Sequence, residues 1–168
     1  TTQIVMDANK TVTANFIETP IYVDINATGN NDGSSWVDAY TDLQTAMNTG
    51  ANSKQVWVAK GLYIPTGSGR NATFTVKLLG KVYGGFAGNE ISVDQRDMSL
   101  IHTTNATILS GDLNGDDNTN LLPSETTRQD NAYHVVTVKN SGGGNLGFLD
   151  GFIIQDGNAN GGLSASCS

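Results

Sequence analysis

Residues 81–112 read KVYGGFAGNEISVDQRDMSLIHTTNATILSGD. Two short apolar runs in this stretch, at 81–83 and 106–109, each lead into glycine and then into a connection rich in asparagine and aspartate. The runs are too short to be helices, and glycine next to Asn or Asp favours a turn. Both runs are therefore predicted to be β-strands that stop at turns.

The same pattern of a strand-like run followed by a small, polar corner recurs along the chain. Further runs lie at 55–59, 134–138 and 151–154. The apolar centres of the five runs are Val58, Val82, Leu109, Val136 and Ile154. Their spacing of 18 to 27 residues is typical of stacked repeat folds. We therefore predict an all-β, quasi-one-dimensional fold in which these runs are successive parallel rungs.

The amino-acid composition limits the functions and partners that are expected of such a stack. Charged residues make up 15% of the 168, against roughly 25% in an average globular protein, and 20 residues are glycine. The net charge of −7 leaves no basic stripe for phosphates, which argues against nucleic acid as a partner and favours divalent cations. No apolar run approaches the ~20 residues that span a bilayer, so membrane insertion is not expected. A single cysteine, Cys167, excludes an internal disulfide.

One segment has helical rather than strand periodicity. Residues 37–48 place Val37, Tyr40, Leu43 and Met47 on one stripe. Ser35 and Asp38 have the spacing of a capping box, and Gly50 follows as a stop. The pattern predicts an amphipathic helix whose apolar face covers the open first coil of the stack.

The amino-terminal segment has a different character. Residues 1–16 alternate apolar and polar side chains around a turn at 7–10, which predicts a β-hairpin. The part MDANKTVTANF resembles the closing strands of Ig-like or internalin-type repeats of bacterial surface proteins. We expect residues 1–19 to be the tail of such a repeat with its linker, and residues 20–168 to be a separate module.

The larger module also carries a resemblance, from about residue 21 to residue 157. Its successive motifs are YVD at 22–24, ATGNNDGSSW at 27–36, DLQTA at 42–46, VWVAKGLYIPT at 56–66, YGGFAGNE at 83–90, RD at 96–97 and TILSGD at 107–112. In this order they resemble the amino-terminal part of bacterial right-handed parallel β-helix surface proteins of the pectin-lyase-like group. The resemblance implies a capping strand and one α-helix followed by coils of three sheets, in a secreted or cell-surface protein. It implies no catalytic residues, because this fold hosts unrelated activities.

Catalytic residues are not evident in the sequence. Arg70, Arg96 and Arg128 appear isolated from carboxylate clusters, and Arg96 next to Asp97 is interpreted as fixing a loop. The two histidines lack catalytic partners at a useful spacing. We predict no catalytic site in this chain.

The one stretch with chemical content is DLNGDDNTN at 112–120. Oxygen-bearing side chains at alternate positions converge on a hard cation in calcium loops, and here they are Asp112, Asn114, Asp116 and Asn118. Pro123 occupies the place of the bidentate glutamate of such a loop, and Glu125 comes two residues late. The stretch is therefore either a calcium or magnesium site or a solvent-facing turn insertion.

Three functions remain open from the sequence. The first is a non-enzymatic extracellular scaffold or adhesion module that contacts carbohydrate or matrix. The second is the amino-terminal fragment of a polysaccharide lyase or glycoside hydrolase with catalytic coils after Ser168. The third is a filament subunit that stacks through its open end. Expected partners are adjacent modules of the parent protein, or other copies, at the open carboxy-terminal coil, with polysaccharide as a further candidate.

Overall fold

The computed structural model describes residues 19–50, 54–77, 80–122, 124–139 and 147–160. Most of the regular structure in these ranges is short β-strand, arranged in parallel sheets, with one α-helix, α1, at Leu43–Thr49. The predicted hairpin at 1–16 and the residue Cys167 lie outside the described residues.

The described strands form three sheets. In chain order they are β1 (Ile21–Val23), β2 (Gln55–Ala59), β3 (Gly61–Tyr63), β4 (Phe74–Lys77), β5 (Lys81–Phe86), β6 (Thr107–Ser110), β7 (Val136–Lys139), β8 (Phe148–Asp150) and β9 (Phe152–Gln155). Sheet A has the order β1-β2-β5-β8, sheet B the order β3-β6-β9, and sheet C pairs β4 with β7. Every pairing is parallel, and from β2 onward the chain visits the sheets repeatedly in the order A, B, C.

The prediction that the five runs are successive rungs is wrong in one respect. Its five apolar centres do not stand in one column, because Val58 and Val82 belong to sheet A, Leu109 and Ile154 to sheet B, and Val136 to sheet C. Some of the measured spacings therefore join neighbouring strands of one sheet, and others join strands of different sheets. Strands β3, β4 and β8 were not predicted, because each has only three or four residues.

The in-register parallel pairing of the strands brings the core side chains together. Val56 pairs with Val82 and Val82 with Leu149, so these side chains lie above one another on the inner face of sheet A. Leu109 is fully buried in the facing position of sheet B, and Val76 is buried in sheet C. The core thus lies between the three sheets, with one layer contributed by each.

The helix begins later than the sequence pattern predicts. It starts at Leu43, because Asp42 is the N-cap and its carboxylate accepts a hydrogen bond from the Thr45 N–H. Ser35 and Asp38 do form the reciprocal bonds of the predicted capping box, but no helix follows them. Instead Tyr40 runs beside β1, where its N–H donates to Tyr22 and its carbonyl accepts from Asp24.

Because Tyr40 is extended and pairs with β1, the predicted helical stripe is broken between Val37 and Leu43. Val37 is 68% exposed, whereas Leu43 and Met47 are buried against the core. The helix contacts β1, β2 and β4, and Gly50 ends it by donating its N–H to the Ala46 carbonyl. It therefore covers the first described strands, as expected of a cap, with a shorter helix than the pattern indicates.

Aromatic side chains pack on the outer face of sheet A under the connection at 87–105. Trp57 stacks on Phe86 with ring centroids 4.9 Å apart, and Trp36 packs against the same phenylalanine. Trp36 also donates its indole N–H to the Glu90 carbonyl at 2.9 Å. These tryptophans pack against neighbouring side chains rather than stand free. No helix of the described part meets the length and apolarity that crossing a membrane requires.

The burial of Leu109 in the core provides the first test. Leu109→Ala removes a fully buried side chain and leaves a cavity between sheets, so we expect the free energy of unfolding to fall by about 2–5 kcal/mol. Urea denaturation followed by circular dichroism measures the change. Leu121→Ala is the matched control, because Leu121 is 76% exposed and its truncation should cost less than about 0.5 kcal/mol. Equal losses for the two variants would contradict the assignment of Leu109 to the core.

Candidate cation site

The acidic stretch lies in the connection that follows β6. Asp112 is 9% exposed and sits two residues after the strand ends. One oxygen of its carboxylate accepts the N–H groups of Gly115 and Asp116, and the other accepts the N–H of Asp117. Gly115 adopts a φ of 71°, a conformation that glycine reaches without strain, which lets the loop wrap around Asp112.

This wrapping brings carboxylates together. Asp112, Asp116 and Asp117 each offer one carboxylate oxygen within 4.8 Å of the oxygens of the other two. Two of the four predicted ligands, Asp112 and Asp116, thus belong to one cluster. The third member, Asp117, was missed because alternate spacing passes over it.

The two predicted amide ligands lie differently. Asn118 donates its side-chain amide to Glu125 and accepts the N–H of Asn120, so it is engaged in the following turn. Asn114 is exposed and lines a groove of about 510 Å³ with Asp130 and Arg70. Asn118 also lines a groove together with Asp112 and Asp117 of the cluster. Metal binding by the four residues as a set remains a prediction.

A buried ion pair holds Asp117 in place. Arg128 donates to Oδ2 of Asp117 at 2.9 Å, and both side chains are 9% exposed. The side-chain amide of Asn131 donates to the same oxygen at 2.7 Å. Arg128 lies in a short 3-10 helix at Thr126–Arg128, so this pair ties the loop after β6 to the segment that leads into β7.

The other oxygen of Asp117 is left without a donor. Its Oδ1 atom is buried and has no hydrogen-bond partner among the described residues. The same holds for Oδ2 of Asp130 and Oδ1 of Asn131. Buried acceptors of this kind are rare in folded proteins, because desolvation without a hydrogen bond is unfavourable.

Electrostatic repulsion is concentrated at Asp116. Loss of hydration, followed by the negative charges of Asp130, Asp112 and Asp117, raises the pKa of its carboxyl. Asp116 is exposed, so its carboxylate is free to turn toward an incoming ion. A cluster of carboxylates with unsatisfied oxygens is suited chemically to a hard cation such as calcium or magnesium.

The interpretation of the arginines as isolated from carboxylates is wrong for Arg96 and Arg128. Arg128 pairs with Asp117, and Arg96 donates to Asp150 at 2.9 Å and to the Gly84 carbonyl at 3.0 Å. Arg70 donates to the Asn131 and Asn158 carbonyls and lies 4.1 Å from the centre of the Tyr133 ring. These partners come from distant parts of the chain, which a local search for carboxylates does not detect.

The arginine bonds are structural in kind. Arg96 fastens the connection at 87–105 to sheet A, as its predicted loop-fixing role requires. Arg70 fastens the segments around Asn131 and Asn158 to each other. The two histidines, His102 and His134, are exposed.

Comparison of the chain with protein-family models, with curated proteins and with solved structures gives no match.

The buried ion pair provides the second test. Arg128→Met leaves the Asp117 carboxylate buried and uncompensated, so we expect a loss of about 3 kcal/mol in the free energy of unfolding in the presence of a chelator. Asp117→Asn should restore part of that loss in the double variant, and urea denaturation measures this coupling. Lys54→Met, at an exposed position, is the control. Additive losses in the double variant would rule out a direct pair.

Proposed function

We propose that the described chain is the cap and opening coils of a right-handed parallel β-helix that serves as a non-enzymatic scaffold or adhesion module on the bacterial cell surface or in the extracellular medium. The observation that carries the proposal is the repeated passage of the chain through three parallel sheets in one order. A polypeptide that returns to each sheet in turn forms coils, and each coil buries its inner face only by stacking on the next. The extracellular bacterial location rests on the sequence resemblance alone.

The cap is at the beginning of the stack. Helix α1 packs on β1, β2 and β4, and β1 is an edge strand of sheet A. Covering an edge prevents it from pairing with another chain. Growth of the stack is therefore proposed to proceed only toward the other end.

At the other end, no described strand covers the last apolar side chains. Strands β7, β8 and β9 each pair with one described neighbour only. Val138 pairs with the buried Val76, and Ile154 with the buried Leu109, so both occupy inward-facing columns. Each is nevertheless 53% exposed. Inward-facing side chains that meet water favour a further layer, either more of the parent protein or a second copy.

A scaffold role is favoured over catalysis because the groups suited to chemistry already have structural bonds. The guanidinium groups of Arg96 and Arg128 each bind a carboxylate and are largely buried. Among the aromatic residues, Trp57 is 5% exposed, and Tyr63 donates its hydroxyl to the Ala59 carbonyl in the interior. Burial raises the pKa of Tyr63 and keeps this phenol neutral. An exposed aromatic platform for sugar rings is not formed by these side chains.

The open end predicts association. At rising protein concentration the isolated chain should form dimers or larger species through β7, β8 and β9, which sedimentation velocity detects. The double variant Val138→Glu and Ile154→Glu places charge in both uncovered columns and should leave a monomer, because burying an unpaired carboxylate is unfavourable. Ile91→Glu, at an 81% exposed position, should associate like the unaltered chain. A monomer at all concentrations in the unaltered chain would contradict the prediction.

The choice between scaffold and enzyme is tested separately. Incubation with pectic, alginate and neutral polysaccharides should give no rise in the absorbance of unsaturated uronate and no new reducing ends. A glycan array then distinguishes an adhesion module, which binds a defined glycan, from a stalk, which binds none. Cleavage of any of these polymers would replace the scaffold proposal with the lyase or hydrolase alternative.

A further inference from the structure

We propose that Asp112, Asp116 and Asp117 bind one calcium ion, with Oδ1 of Asp117 as the buried ligand. The carboxylate oxygens of the three residues already lie within 4.8 Å of one another. Calcium–oxygen distances are about 2.3–2.6 Å, so two ligands of one ion lie at most about 5 Å apart. The cluster therefore has the span that a single calcium ion requires, without movement of the backbone.

The buried oxygen is the observation that points to an ion. Oδ2 of Asp117 accepts from both Arg128 and Asn131, whereas Oδ1 accepts from no described group. The side chain is 9% exposed, so bulk water does not compensate for the missing donor. A cation at Oδ1 supplies the missing interaction and leaves both existing hydrogen bonds in place.

Neighbouring oxygens add to the case. Oδ2 of Asp130 and Oδ1 of Asn131 are also buried without a donor. The charge of Asp130 is felt at Asp116, and Asn131 is bonded to Asp117, so both residues border the cluster. Calcium takes about six to eight oxygen ligands in flexible geometry, which suits a site that mixes carboxylates, an amide oxygen and water.

Charge balance favours the same conclusion. Five carboxylates lie in or beside the cluster, those of Asp112, Asp116, Asp117, Asp130 and Asp156. Arg128 contacts Asp117 and Asp156, and Arg70 lines a groove with Asp130. The two guanidinium groups balance two of these five charges, and a divalent ion balances two more. The ion thereby relieves repulsion that the loop otherwise retains.

Calcium at this position joins two segments of the chain. Asp112 follows β6 directly, whereas Asp117 is fixed through Arg128 to the 3-10 helix before β7. An ion held by both fastens the whole connection between sheets B and C against the stack. It also adds positive charge beside a groove of about 380 Å³ that Asp112, Asp117 and Asp156 line with Leu62 and Ile64.

The test begins with the metal content of the full chain. After purification without chelator, mass spectrometry of metals should find calcium, and after chelation isothermal titration calorimetry with CaCl2 should give one site with a Kd at or below about 1 mM. Magnesium should bind at least about tenfold more weakly, because its strict octahedral geometry does not suit this ligand set.

Two variants decide the ligand assignment. Asp116→Asn changes an exposed side chain with no structural hydrogen bond in the described part, and it should weaken calcium binding by about tenfold or more with unchanged circular dichroism. Asp94→Asn makes the same charge change at an exposed position in the connection at 87–105, and its affinity should stay within about twofold. Asp117→Asn should also weaken binding.

The results that would overturn the proposal are equally defined. They are the absence of binding heat and of any thermal shift at about 10 mM CaCl2 after chelation, equal affinity for magnesium, or an unchanged affinity in Asp116→Asn. Each of these outcomes leaves the proposed scaffold function untouched, because that proposal rests on sheet order and not on the loop. Failure of the scaffold proposal would likewise leave the calcium measurement intact.

Discussion

In-register parallel pairing is the constraint on which the rest of this structure depends. Val56, Val82 and Leu149 face inward together only because β2, β5 and β8 align residue by residue. Side chains alternate between the faces of a strand, so a slip of one residue would turn each of them toward solvent. The buried side chains on the inner face therefore specify the register, and the turns between strands accommodate it. Gly84 and Gly151 illustrate the adaptation, since a Cβ on Gly84 would lie 2.7 Å from the Gly151 carbonyl oxygen.

Arginine side chains fasten the two long connections of the described chain. The connection at 87–105 is held to sheet A by Arg96, and Arg128 ties the beginning of the connection at 111–135 to its end through Asp117. A guanidinium has several donors in a fixed plane, so Arg96 binds the Gly84 carbonyl and the Asp150 carboxylate at the same time. In a chain with few charged residues, Arg96 and Arg128 are therefore used to attach loops. The order of the strands survives insertions of this length because loop closure entropy grows slowly with length.

The sequence predicts strand existence better than strand arrangement. The runs at β2, β5 and β6 are recognisable because they are apolar and end in glycine, but their spacing does not reveal which sheet each joins. Helix α1 was predicted too long, because its pattern does not show that Tyr40 pairs with β1. At the site, alternation found Asp112 and Asp116. Asp117 acquires its role from Arg128, and the intervening loop carries no local signal for that pairing.

Glu90 is an internal comparison for the carboxylates of the loop. It is 6% exposed, and its two oxygens accept three hydrogen bonds, from the N–H groups of Ala87, Gly88 and Asn89. The chain therefore satisfies a buried carboxylate fully with backbone donors where no further ligand is needed. Asp117 is buried to a similar degree, but its donors all converge on one oxygen. Backbone donors satisfy both oxygens of Glu90, whereas Oδ1 of Asp117 has no donor among the described residues. This contrast favours a ligand site at Oδ1 of Asp117.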